Sequence, residues 1–478
     1  MNGIIAYASY IPHYRLERKL IAEALGTPTA EGTRSVASYD EDTTSMAVEA
    51  ARIARRQAPT TAPAAVYFAT ASPAYLDKTN ATAIHAALDL DPSAAAFDML
   101  GSARSGIGAI LAALDAPRPT LAVLSDVRTG LAGGGDERDS GDAAAAFLCG
   151  PASPEAPVVA TPVAWASTTV EFLERWRLPG ERVSHQWEER FGEHVYLPIA
   201  ASALTEALKR AGVTAGEVDH LVVAGTHTRA ARRAAALAGT RQGSTTDDLV
   251  GVIGNTGTAH AGVLLTAALD RAEPDQLIAM VSLSDGADAV IWRTTGALAV
   301  RREAISMSDQ LAGGAFISYA TFLTWRGFLE REPPRRPDPQ RPAAPPSFRR
   351  EAWKFAFTGS RCQACGTRHL PPQRVCVKCQ AVDRMVASPM ADVPATISTY
   401  TVDRLAYSLS PPVVAAVIDF EGGGRFQCEL TDVDAAAVKI GDRVEMTFRR
   451  LFTADAVHNY FWKARPRRGG AERRADAP

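Results

Sequence analysis

The chain has 478 residues, 46% of them hydrophobic, and 51 Lys and Arg against 53 Asp and Glu give a formal charge of −2. That length holds two or three cored domains, and the near-neutral balance removes the simplest electrostatic case for binding nucleic acid or an anionic membrane. The longest apolar runs, such as Ala143 to Leu148 and Leu277 to Val281, are far too short to span a bilayer, and Met1 leads into Gly3-Ile-Ile-Ala-Tyr-Ala without a basic flank and cleavage site. A cytoplasmic protein with no membrane partner is expected.

In chain order, roughly the first 330 residues alternate short apolar strands with Ala-rich helical stretches, which indicates a layered α/β fold with helices covering the sheet. This region repeats itself. Ala64-Ala-Val-Tyr-Phe-Ala-Thr-Ala-Ser72 parallels Asp219-His-Leu-Val-Val-Ala-Gly-Thr-His227, and Leu111-Ala-Ala-Leu-Asp115 parallels Thr266-Ala-Ala-Leu-Asp270. Leu121-Ala-Val-Leu-Ser-Asp126 then parallels the run from Leu277 to Asp285, and Gly141 to Phe147 parallels Asp285 to Ile291. Four matches in one order point to an internal duplication.

These halves, together with Asp40-Glu-Asp-Thr-Thr-Ser-Met-Ala-Val-Glu-Ala-Ala51, Phe97-Asp-Met-Leu-Gly-Ser-Ala-Arg-Ser-Gly106, Ser140-Gly-Asp-Ala-Ala-Ala-Ala-Phe147 and Gly254-Asn-Thr-Gly-Thr-Ala-His260, resemble the thiolase superfamily. Within it the sequence is most similar to ketoacyl-ACP synthase III and HMG-CoA synthase. The resemblance implies chemistry on an acyl-CoA or acyl-carrier thioester, reached through a tunnel, in a homodimer. In that chemistry a cysteine at a helix start takes up the acyl group, and a His and an Asn bind the thioester oxygen so that an enolate can form beside it.

Carried onto this chain, His227 matches the family His and Asn255 the family Asn, whereas the nucleophile position falls on Ala103, between Ser102 and Arg104. Ala71 stands where the Glu of HMG-CoA synthase would be. An alanine holds no acyl group, so the resemblance implies C–C bond making or breaking through an enolate without an acyl-enzyme, as in thiolase-like aldolases acting on β-hydroxyacyl-CoA. Two alternatives stay open: an HMG-CoA-synthase- or ketoacyl-synthase-like acyltransferase whose nucleophile has been replaced by Ala103, and a non-catalytic acyl-CoA-binding scaffold. His260 is a weaker catalytic candidate, for helix-face packing explains it as well. Arg104 either meets an anionic substrate or pairs with Asp98; Arg229, Arg232 and Arg233 meet CoA phosphates or form a solvated helix face. Cys149, at the end of an apolar strand, reads as a buried, inert thiol.

Glu332 to Pro346 carries seven prolines and reads as an extended strap that propagates neither helix nor sheet. Beyond it, Cys362-Gln-Ala-Cys365 and Cys376-Val-Lys-Cys379 form two Cys-x-x-Cys knuckles. Two such turns complete a tetrahedral thiolate shell, so a structural Zn²⁺ is expected on Cys362, Cys365, Cys376 and Cys379. Strands follow at Thr396–Val402, Val413–Phe420, Arg425–Leu430 and Arg443–Phe448, with hairpin turns at 422–424 and Ile440–Asp442. Ribbon plus small barrel, with Trp353-Lys-Phe-Ala-Phe357, His369-Leu-Pro-Pro-Gln-Arg374 and Gly441-Asp-Arg-Val444, resembles the acyl-CoA-associated zinc-ribbon/OB-fold family. Tyr400, Phe426, Tyr460, Phe461 and Trp462 are read as barrel filling rather than as a nucleic-acid platform. The expected organisation is a thiolase-like catalytic domain over 1–330 (halves 1–170 and 171–330), a linker over 331–350, a zinc ribbon over 351–386, an OB-like barrel over 387–465 and a disordered tail over 466–478.

Overall fold

The computed structural model describes residues 2–301, 305–335, 337 and 339–468. They form two compact units: residues 1–37, 49–82 and 91–319 make the first, and residues 38–48, 83–90 and 320–478 the second. No helix among the described residues is long and apolar enough to cross a membrane.

The first unit is built on nine strands: β1 (Asn2–Tyr10), β2 (Ala65–Thr70), β3 (Ala95–Leu100), β4 (Thr120–Asp126), β5 (Ala143–Pro151), β6 (Ala160–Thr169), β7 (His220–Gly225), β8 (Leu277–Leu283) and β9 (Gly286–Thr294). Their order across the sheet is β7-β8-β9-β6-β1-β5-β4-β2-β3. Read outward from the centre, β1-β5-β4-β2 on one side is mirrored by β6-β9-β8-β7 on the other. Each side has two antiparallel pairings followed by a parallel one. An isolated bridge between Leu221 and Thr245 stands where β3 would have its counterpart. The duplication is therefore physical: each of the four sequence matches falls on equivalent elements.

Strands β4 and β8 are buried along their whole length, as expected of strands covered on both faces. Helices α1 (Arg104–Asp115) and α4 (His260–Arg271), twelve residues each, share one core through Ile107, Ile110, Leu264 and Leu265 with Leu124 and Phe147. Glycine permits this closeness, since a Cβ on Gly106 would lie 2.3 Å from the Thr258 carbonyl oxygen. Helix α2 (Glu189–Ala211) packs Ile199, Ala203, Leu204 and Ala207 in a second core with strand residues Ala166, Val281, Ala289 and Ile291. Helix α3 (Thr228–Leu237) follows β7 directly.

The second unit contains a three-stranded ribbon (Arg368–His369, Thr358–Cys362, Met385–Pro389) and a closed five-stranded barrel. The barrel strands are β10 (Ala395–Asp403), β11 (Val413–Phe420), β12 (Arg425–Leu430), β13 (Arg443–Ala454) and β14 (Val457–Pro466). Of the five aromatic residues, Tyr460 and Trp462 are buried, whereas Tyr400, Phe426 and Phe461 are half-buried, with the Trp353 ring 5.6 Å from Phe426 and 5.4 Å from Phe461.

Three local expectations are corrected. Glycines 422–424, all at positive φ, do join β11 to β12, but Ile440–Asp442 is only the approach to β13, because no described strand lies between Leu430 and Arg443. The strap does make a helical turn, Ala344–Arg349, with its prolines at the first positions, where a missing N–H costs nothing. Pro466, expected to open the tail, instead ends β14, next to Arg465, which is buried against Glu445, 2.9 Å away; residues 469–478 of the expected tail lie outside the described residues.

Candidate functional site

The site is assembled where β4 and β7 end, beneath the loop that precedes α4. Asp126, the last residue of β4, is fully buried; its Oδ1 accepts from the Ala71 amide (3.1 Å) and its Oδ2 from the Thr258 amide (3.0 Å). That carboxylate ties the end of β2 to the 254–259 loop. The loop is glycine-dependent: Gly254 and Gly257 have φ of 79° and 57°, and added Cβ atoms would stand 2.2 Å from the Ser140 oxygen and 2.4 Å from Asp126 Oδ2.

Asn255 is held by this loop. Its Oδ1 accepts from the Gly257 amide (3.0 Å) and its Nδ2 donates to the Gly225 carbonyl at the end of β7 (2.7 Å), which leaves one Nδ2 hydrogen unused. His227 caps α3: Nδ1 accepts from the Ala230 amide (3.1 Å), so Nε2 carries the hydrogen and donates to the Glu189 carbonyl (2.8 Å). Gly192 lets α2 close over the ring, as a Cβ there would come within 2.6 Å of His227 Cδ2. The Glu189 carbonyl lies in the first turn of α2 and serves that helix as well, so the imidazole can leave it without orphaning a buried acceptor.

His227 and Asn255 line one cavity of about 300 Å³, together with Arg128, Asp136, Glu174 and Arg229. Most of its charges are already paired. Asp136 accepts from both terminal nitrogens of Arg175 (2.6 and 2.7 Å), Arg138 holds Asp139 at 2.7 Å, and Arg229 holds Glu193 at 2.7 Å. Two groups stand apart. Glu174 is 5% exposed, and its carboxylate makes no hydrogen bond among the described residues; burial pushes it above the usual carboxylate range, offset in part by Arg175 and His227. The Arg128 side chain is 11% exposed, and its nearest acidic partner is Asp136 at 3.9 Å, too long for a hydrogen bond.

The remaining candidates fall elsewhere. His260 is buried on the wall of a second cavity of about 440 Å³, which also takes Asn255 and the Arg232–Asp248 pair. Burial drives its imidazole down to about 4, so the ring is neutral, with Nδ1 3.3 Å from Thr256 Oγ1. Ala103 sits on the turn between β3 and α1 and is among the lining residues of neither cavity. Arg104 does not pair with Asp98: it holds Asp288 at 2.9 Å, while Asp98 accepts from the amides of Asn80 and Ala81. Arg233 joins Arg229 on Glu193, at 3.3 Å. Cys149 is fully buried in β5, its thiol pushed up to about 12 by desolvation. Tyr319 donates to both oxygens of Glu137 (3.1 and 3.0 Å).

Sequence reading missed Glu174 and Arg128. The available signal for Arg128 was its place two residues beyond a strand with an apolar centre, Leu121 to Leu124, where α/β sheets present their ligand sites. Glu174 lies in an irregular stretch with no periodicity to read.

In the second unit the sulfur atoms of Cys362, Cys365, Cys376 and Cys379 all lie within 4.8 Å of one another, with Cys362–Cys379 at 3.6 Å and Cys365–Cys376 at 3.5 Å. Thiolates about 2.3 Å from a tetrahedral zinc stand roughly 3.8 Å apart, so the four cysteines are positioned to bind the metal. Four sulfur ligands leave no open coordination position, which marks a structural role.

The C-terminal residues match two described families: residues 355–385 match the ChsH2 rubredoxin-like zinc ribbon domain, and residues 388–449 the ChsH2 C-terminal OB-fold domain. The hydroxymethylglutaryl-CoA synthase of Methanothermobacter thermautotrophicus is 29% identical over 347 residues, 69% of this chain and 99% of that protein. MvaS in complex with 3-hydroxy-3-methylglutaryl coenzyme A superposes with a TM-score of 0.57 at 19% identity, covering 72% of this chain and 94% of that one. The 3-oxoacyl-(acyl carrier protein) synthase III of Pseudomonas aeruginosa superposes at 0.55 and 18% identity, covering 62% and 98%. The first unit has the thiolase-like fold. This thiolase-like unit is similar in sequence to HMG-CoA synthases, and its structural relatives include condensing enzymes of acyl thioesters.

Proposed function

We propose that the thiolase-like unit makes or breaks a carbon–carbon bond on an acyl-CoA or acyl-carrier thioester through an enolate, without passing the acyl group to the protein. The observation that carries this reading is the state of its thiol inventory. Cys149 is the only cysteine before Cys362, and it is fully buried with its thiol pushed up to about 12. A nucleophilic thiolate must be accessible and ionised. Cys149 is neither, and Ala103 at the start of α1 offers a methyl group.

In the condensing direction a base removes the α-proton of the thioester, the enolate attacks a carbonyl carbon, and the new alkoxide takes up a proton; cleavage runs these steps in reverse. The spare Nδ2 hydrogen of Asn255 and the Nε2 hydrogen of His227 are the donors proposed for the enolate oxygen. Glu174 is the proposed proton carrier. A carboxyl raised by burial exchanges a proton near neutral pH more readily than a solvated one, and it faces the cavity that His227 and Asn255 line.

The test is intact-protein mass spectrometry after incubation with acetyl-, acetoacetyl- and 3-hydroxyacyl-CoA esters, with product analysis of the same mixtures. The expected result is a cleaved or condensed CoA product and an unchanged protein mass. A stable acyl adduct overturns the non-covalent mechanism, and the absence of any product overturns catalysis in favour of a binding scaffold.

A further inference from the structure

The charges around the 300 Å³ cavity do not close on themselves, and one of the two groups left without a hydrogen bond is a cation. Arg128 carries five N–H donors. It is 11% exposed, and its side chain makes no hydrogen bond among the described residues. Asp136, its nearest acidic neighbour, is occupied by Arg175 at two positions and by Gln186 Nε2 at 3.1 Å. A guanidinium removed from most of its water without hydrogen-bond partners is costly, and an incoming carboxylate relieves that cost through two parallel N–H···O bonds.

The position of Arg128 fixes where such a carboxylate sits. Its stem lies under the Asn255 turn, for a Cβ on Gly257 would stand 2.9 Å from Arg128 Cδ, and the Gly257 amide is the group that Asn255 Oδ1 holds at 3.0 Å. Guanidinium and carboxamide are thus set by one loop and line one cavity. We propose that the thioester acted on here carries a second, anionic group, a carboxylate on a short acyl chain, and that Arg128 binds it while Asn255 meets the thioester carbonyl. This rests on the thioester reading of the site. The cavity's volume, at the small end for ligand pockets, suits a short acyl chain rather than a bulky one.

CoA phosphates are a second source of anionic oxygen, and the experiment separates them from an acyl carboxylate. Calorimetric titration of the full chain with glutaryl-CoA and with valeryl-CoA compares esters that share every phosphate and differ at the chain end. Wild type is expected to bind glutaryl-CoA about tenfold more tightly or better, in keeping with a bidentate charge-assisted pair. R128Q is expected to bring the ratio of the two affinities to about one, and R128K to leave it in between. Equal affinities in wild type, or a ratio that R128Q leaves intact, overturn the carboxylate assignment while the thioester reading stands. Binding of neither ester overturns both.

Discussion

Two buried groupings of acids and bases among the described residues are finished differently. In the second unit, Arg449 is wholly buried and reaches Glu41 at 2.5 Å, Asp432 at 2.7 Å and Asp40 at 3.6 Å. Lys463 adds Glu429 at 2.9 Å, Asp40 at 3.1 Å and the Tyr39 hydroxyl at 3.1 Å. Each charge there meets an opposite one. In the thiolase-like unit, Glu174 and Arg128 are nearly as buried and face a cavity without a hydrogen-bond partner. A closed cluster is a structural device; an open one is poised for a ligand. The difference teaches that burial of charge is not itself the mark of a site, whereas burial without completion is.

The largest test of this contrast lies beside the closed cluster, in the zinc ribbon. Zinc bound to four thiolates contributes roughly 10 kcal/mol or more of folding energy in small domains. Chelation is therefore expected to unfold the ribbon and leave the thiolase-like unit folded, read by limited proteolysis. Loss of both units together breaks the separation. Next, R449M removes the cation shared by Asp40, Glu41 and Asp432 and leaves Lys463 and Arg468 to balance the buried carboxylates, and it is expected to cost about 3–5 kcal/mol in urea unfolding. R128M removes a cation that has no hydrogen bonds, so its cost is expected to stay below about 1 kcal/mol. Comparable losses at the two arginines contradict the distinction.

Acid separates the two units by window. Burial lowers the His260 imidazole from 6.5 to about 4. The unfolded chain then binds the proton more tightly, so the associated stability is complete above about pH 6.5 and is lost as pH falls toward 4, at most about 3 kcal/mol. For Asp40, burial alone raises the carboxyl, but Lys463 and Arg449 hold it below its ordinary 3.8. Its contribution is complete above that value and disappears only as pH falls through the lower folded one. Unfolding followed from pH 7 to 3 is expected to show the thiolase-like unit weakening first, with H260N flattening that slope.

Much of the fold was legible because it repeats: four short segments matched in order, and each pair occupies mirrored strands or equivalent helices. The zinc site was legible because Cys-x-x-Cys spacing encodes local turn geometry. What stayed hidden depends on long-range pairing. Asp40 reads as part of the N-terminal motif, yet its carboxylate is matched to Arg449 and Lys463 near the other end of the chain. Arg104 was weighed against Asp98, its neighbour in sequence, but the register of β9 delivers Asp288 instead. Glu174 and Arg128 acquire meaning only when strands distant in sequence close a cavity between them.

The central claim, that this cavity moves the α-proton of a thioester, is tested most directly by deuterium exchange. The full chain and its E174Q variant are incubated with acyl-CoA esters in deuterated buffer, and α-deuterium is counted by mass spectrometry. Wild type is expected to catalyse exchange, and E174Q to slow it by about 10²–10⁴-fold while ester affinity changes by less than about threefold. Exchange that persists undiminished in E174Q, or no exchange in wild type with esters that bind, contradicts the account.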